Sequence, residues 1–288
     1  MELNPVVWQP DVKQIQASQL SRFTQFVLQT QPESQNQLPA FTGYTDLHHW
    51  SVSQPDAFWR AVWDYCGLTS VEPATAVLGE RRMPGAQWFP GMTLNFAQNL
   101  LRLAEGERAN DEAVVAYCET RSVLRRSYAQ LKADTGALEA YFRKQGVARG
   151  DRVAAIVTNG YEALVAMLAT TSMGATFSSA SPDFGVGAIL DRFSQIEPSL
   201  LVMVNGYGYG GKVFSRTEDL QAIRQGLPSI KGVVVIEQLP EQALPEGPGV
   251  VSWEAALQAG QGQAPSYTPV AFDHPAYILF SSGTTGKP

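Results

Sequence analysis

The sequence predicts an α/β protein in which a helical N-terminal cap precedes a doubly wound, largely parallel sheet. Two observations predict it. Before residue 105, apolar residues recur at helical spacing among five of the six tryptophans, Trp8, Trp50, Trp59, Trp63 and Trp88. From Asp111 onward, short apolar runs alternate with helical periods, the pattern of strand and crossover helix in a parallel sheet. The expected division is therefore a helical region over 1–105 and an α/β region over 106–288.

Within the cap, Leu20, Phe23, Phe26 and Val27 share one helix face, and Phe58, Val62 and Tyr65 another. The stretch from Pro32 to Pro39 is rich in Gln and Pro and reads as a linker; Gln87 to Leu94 reads as an irregular connection before a helix over Asn95 to Leu103. Val114 to Cys118 and Ser122 to Arg126 form a short strand pair. Ser127 and Gln130 then have the spacing of a capping box, which starts a helix whose Tyr128, Leu131, Leu138 and Phe142 keep three-and-four spacing up to Gly146. The alternation continues with a strand Val153 to Val157, a helix Tyr161 to Met173, a strand Ala175 to Ser179, a helix Val186 to Gln195 and a strand Leu200 to Val204. A helix ending near Gly226 leads to a strand Val233 to Ile236, a short helix lies at Trp253, and a last strand spans Ala276 to Phe280. Gln238 to Pro248 and Ala259 to Pro269 read as surface connections.

The 288-residue chain is 44% hydrophobic, which suits a folded protein of two domains. Its 21 basic residues are spread among 27 acidic ones, a net charge of -6, unlike the clustered cations of a nucleic-acid surface. No apolar run approaches the roughly 20 residues that span a bilayer, and the first ten residues lack a signal pattern, so a cytoplasmic, small-molecule enzyme is expected. Cys66 and Cys118 are too few and too far apart for a disulfide framework or a zinc site, and both read as buried core thiols. His48, His49 and His274 are poor candidates for a catalytic base. Asp183, Phe184 and Gly185 share the letters of a kinase motif, but with no H-R-D upstream Asp183 reads as a turn residue before a helix.

Three glycine-rich patterns compete for a nucleotide. Gly206, Gly211 and Lys212 have Walker spacing, but Val213 stands where a hydroxyl must hold magnesium. Gly206, Gly208 and Gly211 spell a dinucleotide fingerprint, with Glu237 after the next strand as its acid. That NAD-binding or other non-catalytic nucleotide module stays open as an alternative, although a plain glycine-rich turn fits the two interleaved tyrosines better. The third pattern is Ser281, Ser282, Gly283, Thr284, Thr285, Gly286, Lys287 and Pro288, four hydroxyls and two glycines after an apolar strand. Amides and hydroxyls of such a loop turn readily toward phosphate oxygens.

This third loop resembles the phosphate loop of the AMP-forming acyl-CoA synthetases of the adenylate-forming superfamily, from Phe280 through Pro288. Trp88, Phe89, Pro90, Gly91, Leu94, Asn95 and Asn99 are similar to an N-terminal stretch of the acetyl-CoA and acetoacetyl-CoA synthetases. Ser181 to Gly185, with Leu190 to Phe193 and Gln195 to Pro198, resemble the acetoacetyl branch in particular, as does Tyr207 to Lys212. The resemblance covers nearly the whole chain. It implies a ligase that joins acetoacetate to coenzyme A through an acyl-adenylate, with ATP, Mg²⁺ and coenzyme A as reactants; acetate or another short acyl group is the alternative. It places Ser281, Ser282, Gly283, Thr284, Thr285 and Gly286 on the ATP phosphates. It also makes Lys212 the candidate for coenzyme A, against the plain reading of a solvated lysine at a helix start. Tyr209 stands where related enzymes have a second cation, Gln98 where they have Glu, and Ala180 where they often have Cys. Catalytic residues are expected after residue 288, so the sequence looks like the front part of a longer enzyme, without activity by itself.

Overall fold

Leu200–Val204 and Gly232–Ile236 contain no polar side chain, and a strand of that kind is stable only with both faces covered. The computed structural model, which describes residues 5–30, 41 and 43–281, covers both. Its strands are β1 (Thr93–Leu94), β2 (Glu112–Ala116), β3 (Leu124–Ser127), β4 (Arg152–Ile156), β5 (Thr176–Ala180), β6 (Leu200–Val204), β7 (Gly206–Tyr209), β8 (Lys212–Ser215), β9 (Gly232–Ile236), β10 (Val250–Ser252) and β11 (Val270–Ala271). Its helices are α1 (Val12–Ala17), α2 (Gln19–Thr30), α3 (Tyr44–Ser53), α4 (Pro55–Cys66), α5 (Phe96–Leu100), α6 (Tyr128–Lys144), α7 (Tyr161–Ser172), α8 (Val186–Phe193), α9 (Asp219–Gly226) and α10 (Trp253–Ala259). The chain divides into two compact units, Met1–Met92 and Thr93–Pro288.

In the first unit, α2, α3 and α4 enclose a small aromatic core. Phe23 meets Phe58 and Tyr65 edge-on with ring centroids 5.9 and 5.3 Å apart. Trp50, 1% exposed, lies against Phe41 and Phe58. Pro55 opens α4, where its missing N–H costs nothing, and Gly67 closes it with φ of 60°. The predicted linker from Pro32 to Pro39 lies outside the described residues. Gln87 to Leu94 proves less irregular than expected: Phe89 donates to Val77 O and Gly79 to Gln87 O, and Thr93–Leu94 pairs antiparallel with β11.

In the second unit, five strands form a parallel sheet in the order β10-β9-β6-β4-β5. Alternate residues feed opposite cores. Val153, Ala155, Val157, Leu200, Val202, Val234 and Ile236 pack with α6, α7 and α10. Ala154, Ile156, Leu201, Met203, Val233 and Val235 pack with α8 and α9 on the other side. This is the doubly wound α/β arrangement the sequence predicts, with α7 and α8 as crossovers. The capping box of α6 is formed as read, with Ser127 Oγ accepting from Gln130 N and Gln130 Oε1 from Ser127 N.

The differences are local. The predicted helix over Asn95 to Leu103 splits into α5 and a 3-10 turn over Arg102–Ala104, and the Val114 and Ser122 strands shift by about two residues to β2 and β3. Ala276 to Phe280 pairs with the sheet edge at one parallel bridge, Tyr277 to Phe177, where Phe177 N donates to Ala276 O and Ile278 N to Phe177 O. Cys66 and Cys118 are not core thiols, since both are partly exposed; the first ends α4 and the second faces a cavity. Two strand pairs, β7–β8 and β9–β10, were not legible as such.

Asn95 organises one end of this unit. Its Oδ1 caps α5 by accepting from Gln98 N, and its Nδ2 reaches the carbonyl oxygens of Thr171, Ser172 and Thr268 at 3.1, 2.9 and 2.9 Å. Asn95→Ala strips partners from these groups at a site 1% exposed, so a loss of ~2–4 kcal/mol in urea unfolding is expected. Burial, with Glu105 and Glu139 nearby, pushes the Tyr267 hydroxyl up to about 12. The folded chain therefore keeps this proton where the unfolded chain releases it near the ordinary value of about 10. The stability it supplies is complete below that value and is lost as pH rises toward 12; Tyr267→Phe should flatten that part of the unfolding midpoint against pH.

Candidate functional site

Numbered by their order along the chain, the strands of the parallel sheet run 2-1-3-4-5, and the direction of winding reverses between β4 and β6. In open parallel sheets the crevice outside the carboxyl ends of the strands at that reversal is where ligands bind. Here β4 ends into Thr158, Asn159 and Gly160, and β6 ends into Asn205. Both carry polar groups just beyond strands whose centres are apolar.

Asn205 is fully buried and uses all its hydrogen-bonding capacity. Its Nδ2 donates to Leu239 O and Gln242 O at 2.9 and 3.1 Å, and its Oδ1 accepts from Gln238 N and Leu239 N at 3.0 Å each. Its backbone carbonyl accepts from Arg216 N at 2.8 Å. Between these two residues the chain makes the hairpin β7–β8.

The hairpin explains the glycine pattern. Gly210 and Gly211 have φ of 59° and 73°, the pair of positive values that a two-residue turn between right-twisted strands demands. A Cβ on Gly206 would lie 2.3 Å from Leu239 Cδ1, and one on Gly208 would lie 2.3 Å from Thr120 Cγ2. Tyr207 and Phe214 stack across the strands at 5.0 Å. A dinucleotide fingerprint must open a helix at its first glycine, whereas Gly206 opens a strand, so the structure overturns the NAD reading, and Glu237 is merely exposed. Lys212 begins β8, exposed beside Tyr209, and not a helix as its plain reading had it.

Two cavities flank the hairpin and share Thr158, Asn159 and Gly208. One, of about 570 Å³, is bounded by Val157, Ala163, Ser179–Asp183 and the aromatic face of the hairpin. Asp183 lies there in an exposed turn before α8, as read from the sequence. The other, of about 630 Å³, is bounded by the end of β2, the start of α7 and Gln238. In its lining Arg121 donates to both Glu162 carboxylate oxygens from Nη1 and Nη2, at 2.6 and 3.2 Å. Glu162 sits in the first turn of α7, where the helix dipole also favours its charge. Tyr161 donates to Asp134 Oδ2 at 2.6 Å, and burial together with this bond raises its hydroxyl far above the ordinary range.

Of the residues expected to hold phosphate, Ser281 is exposed at the end of the segment beside β5. Because that pairing is parallel, Ser281 leaves the sheet at the same carboxyl edge as Ala180 and the two cavities. Ser282, Gly283, Thr284, Thr285 and Gly286 lie outside the described residues. His274 Nε2 is 2.8 Å from Gly174 O, remote from that edge. The Arg121–Glu162 pair, Asn205 and the Cys118–Gln238 contact were missed from sequence, since each joins segments far apart in the chain.

This arrangement defines a nucleotide-type α/β enzyme domain. The profile of the AMP-binding enzymes matches residues 102–288, and that of the acetyl-coenzyme A synthetase N-terminus matches residues 44–100. The chain belongs to the AMP-binding enzyme family. It is 37% identical over 293 residues to acetoacetyl-CoA synthetase of Danio rerio, covering 98% of this chain and 42% of that protein. It is 35% identical over 288 residues to acetoacetyl-coenzyme A synthetase of Rhizobium meliloti (strain 1021), covering 100% and 43%. Among solved structures, acetoacetyl-CoA synthetase from Streptomyces lividans superposes with a TM-score of 0.88 at 40% identity, covering 98% of this chain and 42% of that one. The chain thus spans about two fifths of the length of these relatives. Among the described residues no helix is long and apolar enough to cross a membrane.

Arg121→Met leaves the Glu162 carboxylate, whose side chain is 11% exposed, without its partner. The helix dipole and the partial exposure of Arg121 soften that cost, so a loss of ~1–3 kcal/mol is expected, smaller than for a fully buried pair. A double-mutant cycle with Glu162→Gln should return a favourable coupling of about 1 kcal/mol or more.

Proposed function

We propose that the whole protein is an AMP-forming ligase that joins acetoacetate to coenzyme A. An acetoacetate carboxylate oxygen attacks the α-phosphorus of ATP, pyrophosphate leaves, and the coenzyme A thiol then displaces AMP from the acyl-adenylate. The observation that carries this reading is the crevice at the β4/β6 reversal in a chain whose family binds AMP and whose similar relatives are named for acetoacetate. Adenylation needs no covalent nucleophile. The work of the protein is alignment of an in-line displacement and stabilisation of its charge.

In this reading the hydroxyls of Ser281, Ser282, Thr284 and Thr285 and the amides of Gly283 and Gly286 hold the β- and γ-phosphates. Magnesium arrives as part of the MgATP substrate. Support for this comes from the loop's composition and from the position of Ser281 at the carboxyl edge of the sheet. Lys212, exposed on the hairpin that borders the 570 Å³ cavity, attracts the phosphates of coenzyme A, with Tyr209 beside it. The partners are thus small molecules: a carboxylate, ATP and coenzyme A. A cytoplasmic enzyme of fatty acid metabolism suits a product that is a four-carbon acyl thioester. Acetate is the rival substrate, favoured by the match of residues 44–100 to the acetyl-coenzyme A synthetase N-terminus.

Acetoacetate-dependent exchange of pyrophosphate into ATP by the full-length enzyme tests the reading. Thr284→Ala with Thr285→Ala should lower that exchange ~10²–10³-fold, the usual effect of removing preorganised donors. Lys212→Ala should leave exchange intact and raise the coenzyme A concentration needed for half-maximal thioester formation. Faster exchange with acetate than with acetoacetate would reassign the substrate.

A further inference from the structure

The turn that precedes Lys212 has little of its own to hold it. Gly210 and Gly211 both lie in the left-handed region, and a Cβ on either would meet nothing within 4 Å. Two glycines in succession leave the backbone with more freedom than any other pair, and the residue after such a turn inherits that freedom. A bond from outside the hairpin restrains it: Glu119 Oε2 accepts from Gly211 N at 3.2 Å.

Glu119 is exposed, yet the segment that carries it is tied on both sides. Before it, Cys118 Sγ accepts from Gln238 Nε2 at 2.8 Å, and Gln238 N donates to Asn205 Oδ1 at 3.0 Å. After it, Thr120 Cγ2 occupies the space a Cβ on Gly208 would need, and Arg121 is held by Glu162. The base of the hairpin is tied to the same frame, since Arg216 N donates to Asn205 O at 2.8 Å. Residues 118–121 thus brace the hairpin, with Thr120 against its middle and the Glu119 carboxylate at its tip.

We propose that Glu119 is a positioning residue for thioester formation: by fixing Gly211 it fixes Lys212, one residue on, and so sets the affinity for coenzyme A. The inference rests on the reading of Lys212 as a contact of the coenzyme A phosphates. Charge alone argues the other way, because a carboxylate one residue from that lysine opposes an anionic ligand. What Glu119 contributes is its acceptor, not its charge.

Two substitutions in the full-length enzyme separate acceptor from charge. Glu119→Gln removes the charge and keeps an oxygen that accepts from Gly211 N, whereas Glu119→Ala removes both. The coenzyme A concentration for half-maximal thioester formation should be ~3–10-fold higher for Glu119→Ala than for Glu119→Gln, the usual worth of one hydrogen bond, with maximal rates within about twofold of each other. Glu119→Gln should lie at or slightly below the unsubstituted enzyme, since a repelling charge is gone, and the more so at low salt. Adding Lys212→Ala to each should erase the difference between them. Amide exchange at Gly211 and Lys212 should quicken in Glu119→Ala and not in Glu119→Gln, a readout independent of what binds there. Equal coenzyme A requirements for the two variants, while Lys212→Ala raises its own, would overturn the positioning role alone. A Lys212→Ala enzyme with an unchanged coenzyme A requirement would overturn the coenzyme A reading and this role with it. Unaltered exchange at Gly211 in Glu119→Ala would overturn the brace whatever Lys212 binds.

Discussion

One buried amide, Asn205, fixes the course of the chain where it leaves the sheet beside the crevice. A strand such as β6, apolar on both faces, says nothing about where its chain goes once it leaves the sheet. Asn205 supplies that information through two donated and two accepted hydrogen bonds, which bind the end of β6 to the segment after β9. The chain between Asn205 and Arg216 forms a hairpin whose base is closed by the bond from Arg216 N to Asn205 O. The two cavities flank that hairpin, and both are lined by Gly208.

The layered fold depends on a simpler constraint. Every residue of β6 and β9 is buried, so each alternate side chain must find its own apolar layer. The two cores of the second unit are the result, one built with α6, α7 and α10, the other with α8 and α9. A carboxylate admitted to these layers is paired. Glu139, 2% exposed, accepts from Ser172 Oγ, Ser266 N and Arg143 Nε, which lets a carboxylate sit under α6 without being left unsolvated and alone.

Much of this was legible in the sequence. Strands over Leu200 to Val204 and Val153 to Val157, the box at Ser127 and Gln130, and the crossover helices follow from period and capping, which are local properties. The phosphate-type loop was legible because its residue types are dense and contiguous. What escaped depends on distance along the chain. The order of strands, and hence the site of the crevice, is set by pairings such as Val153 with Leu200. Gly206, Gly208 and Gly211 have the letters of a nucleotide motif, yet what requires glycine at the first two is the proximity of Leu239 and Thr120. Cys118 looked like core because an isolated cysteine usually is; only the fold brings Gln238 to it.

Gly206 and Gly208 have a consequence for how the hairpin can vary. Its inner strand lies so close to Leu239 and Thr120 that no side chain fits at those two positions, while Lys212 and Val213 on the outer strand are exposed and meet no such limit. A new side chain can therefore be accommodated on the outer ribbon of the pair but not at these two glycines. Those two positions are a fixed rail, and the surface the hairpin presents can be retuned on the outer ribbon without disturbing the sheet beneath.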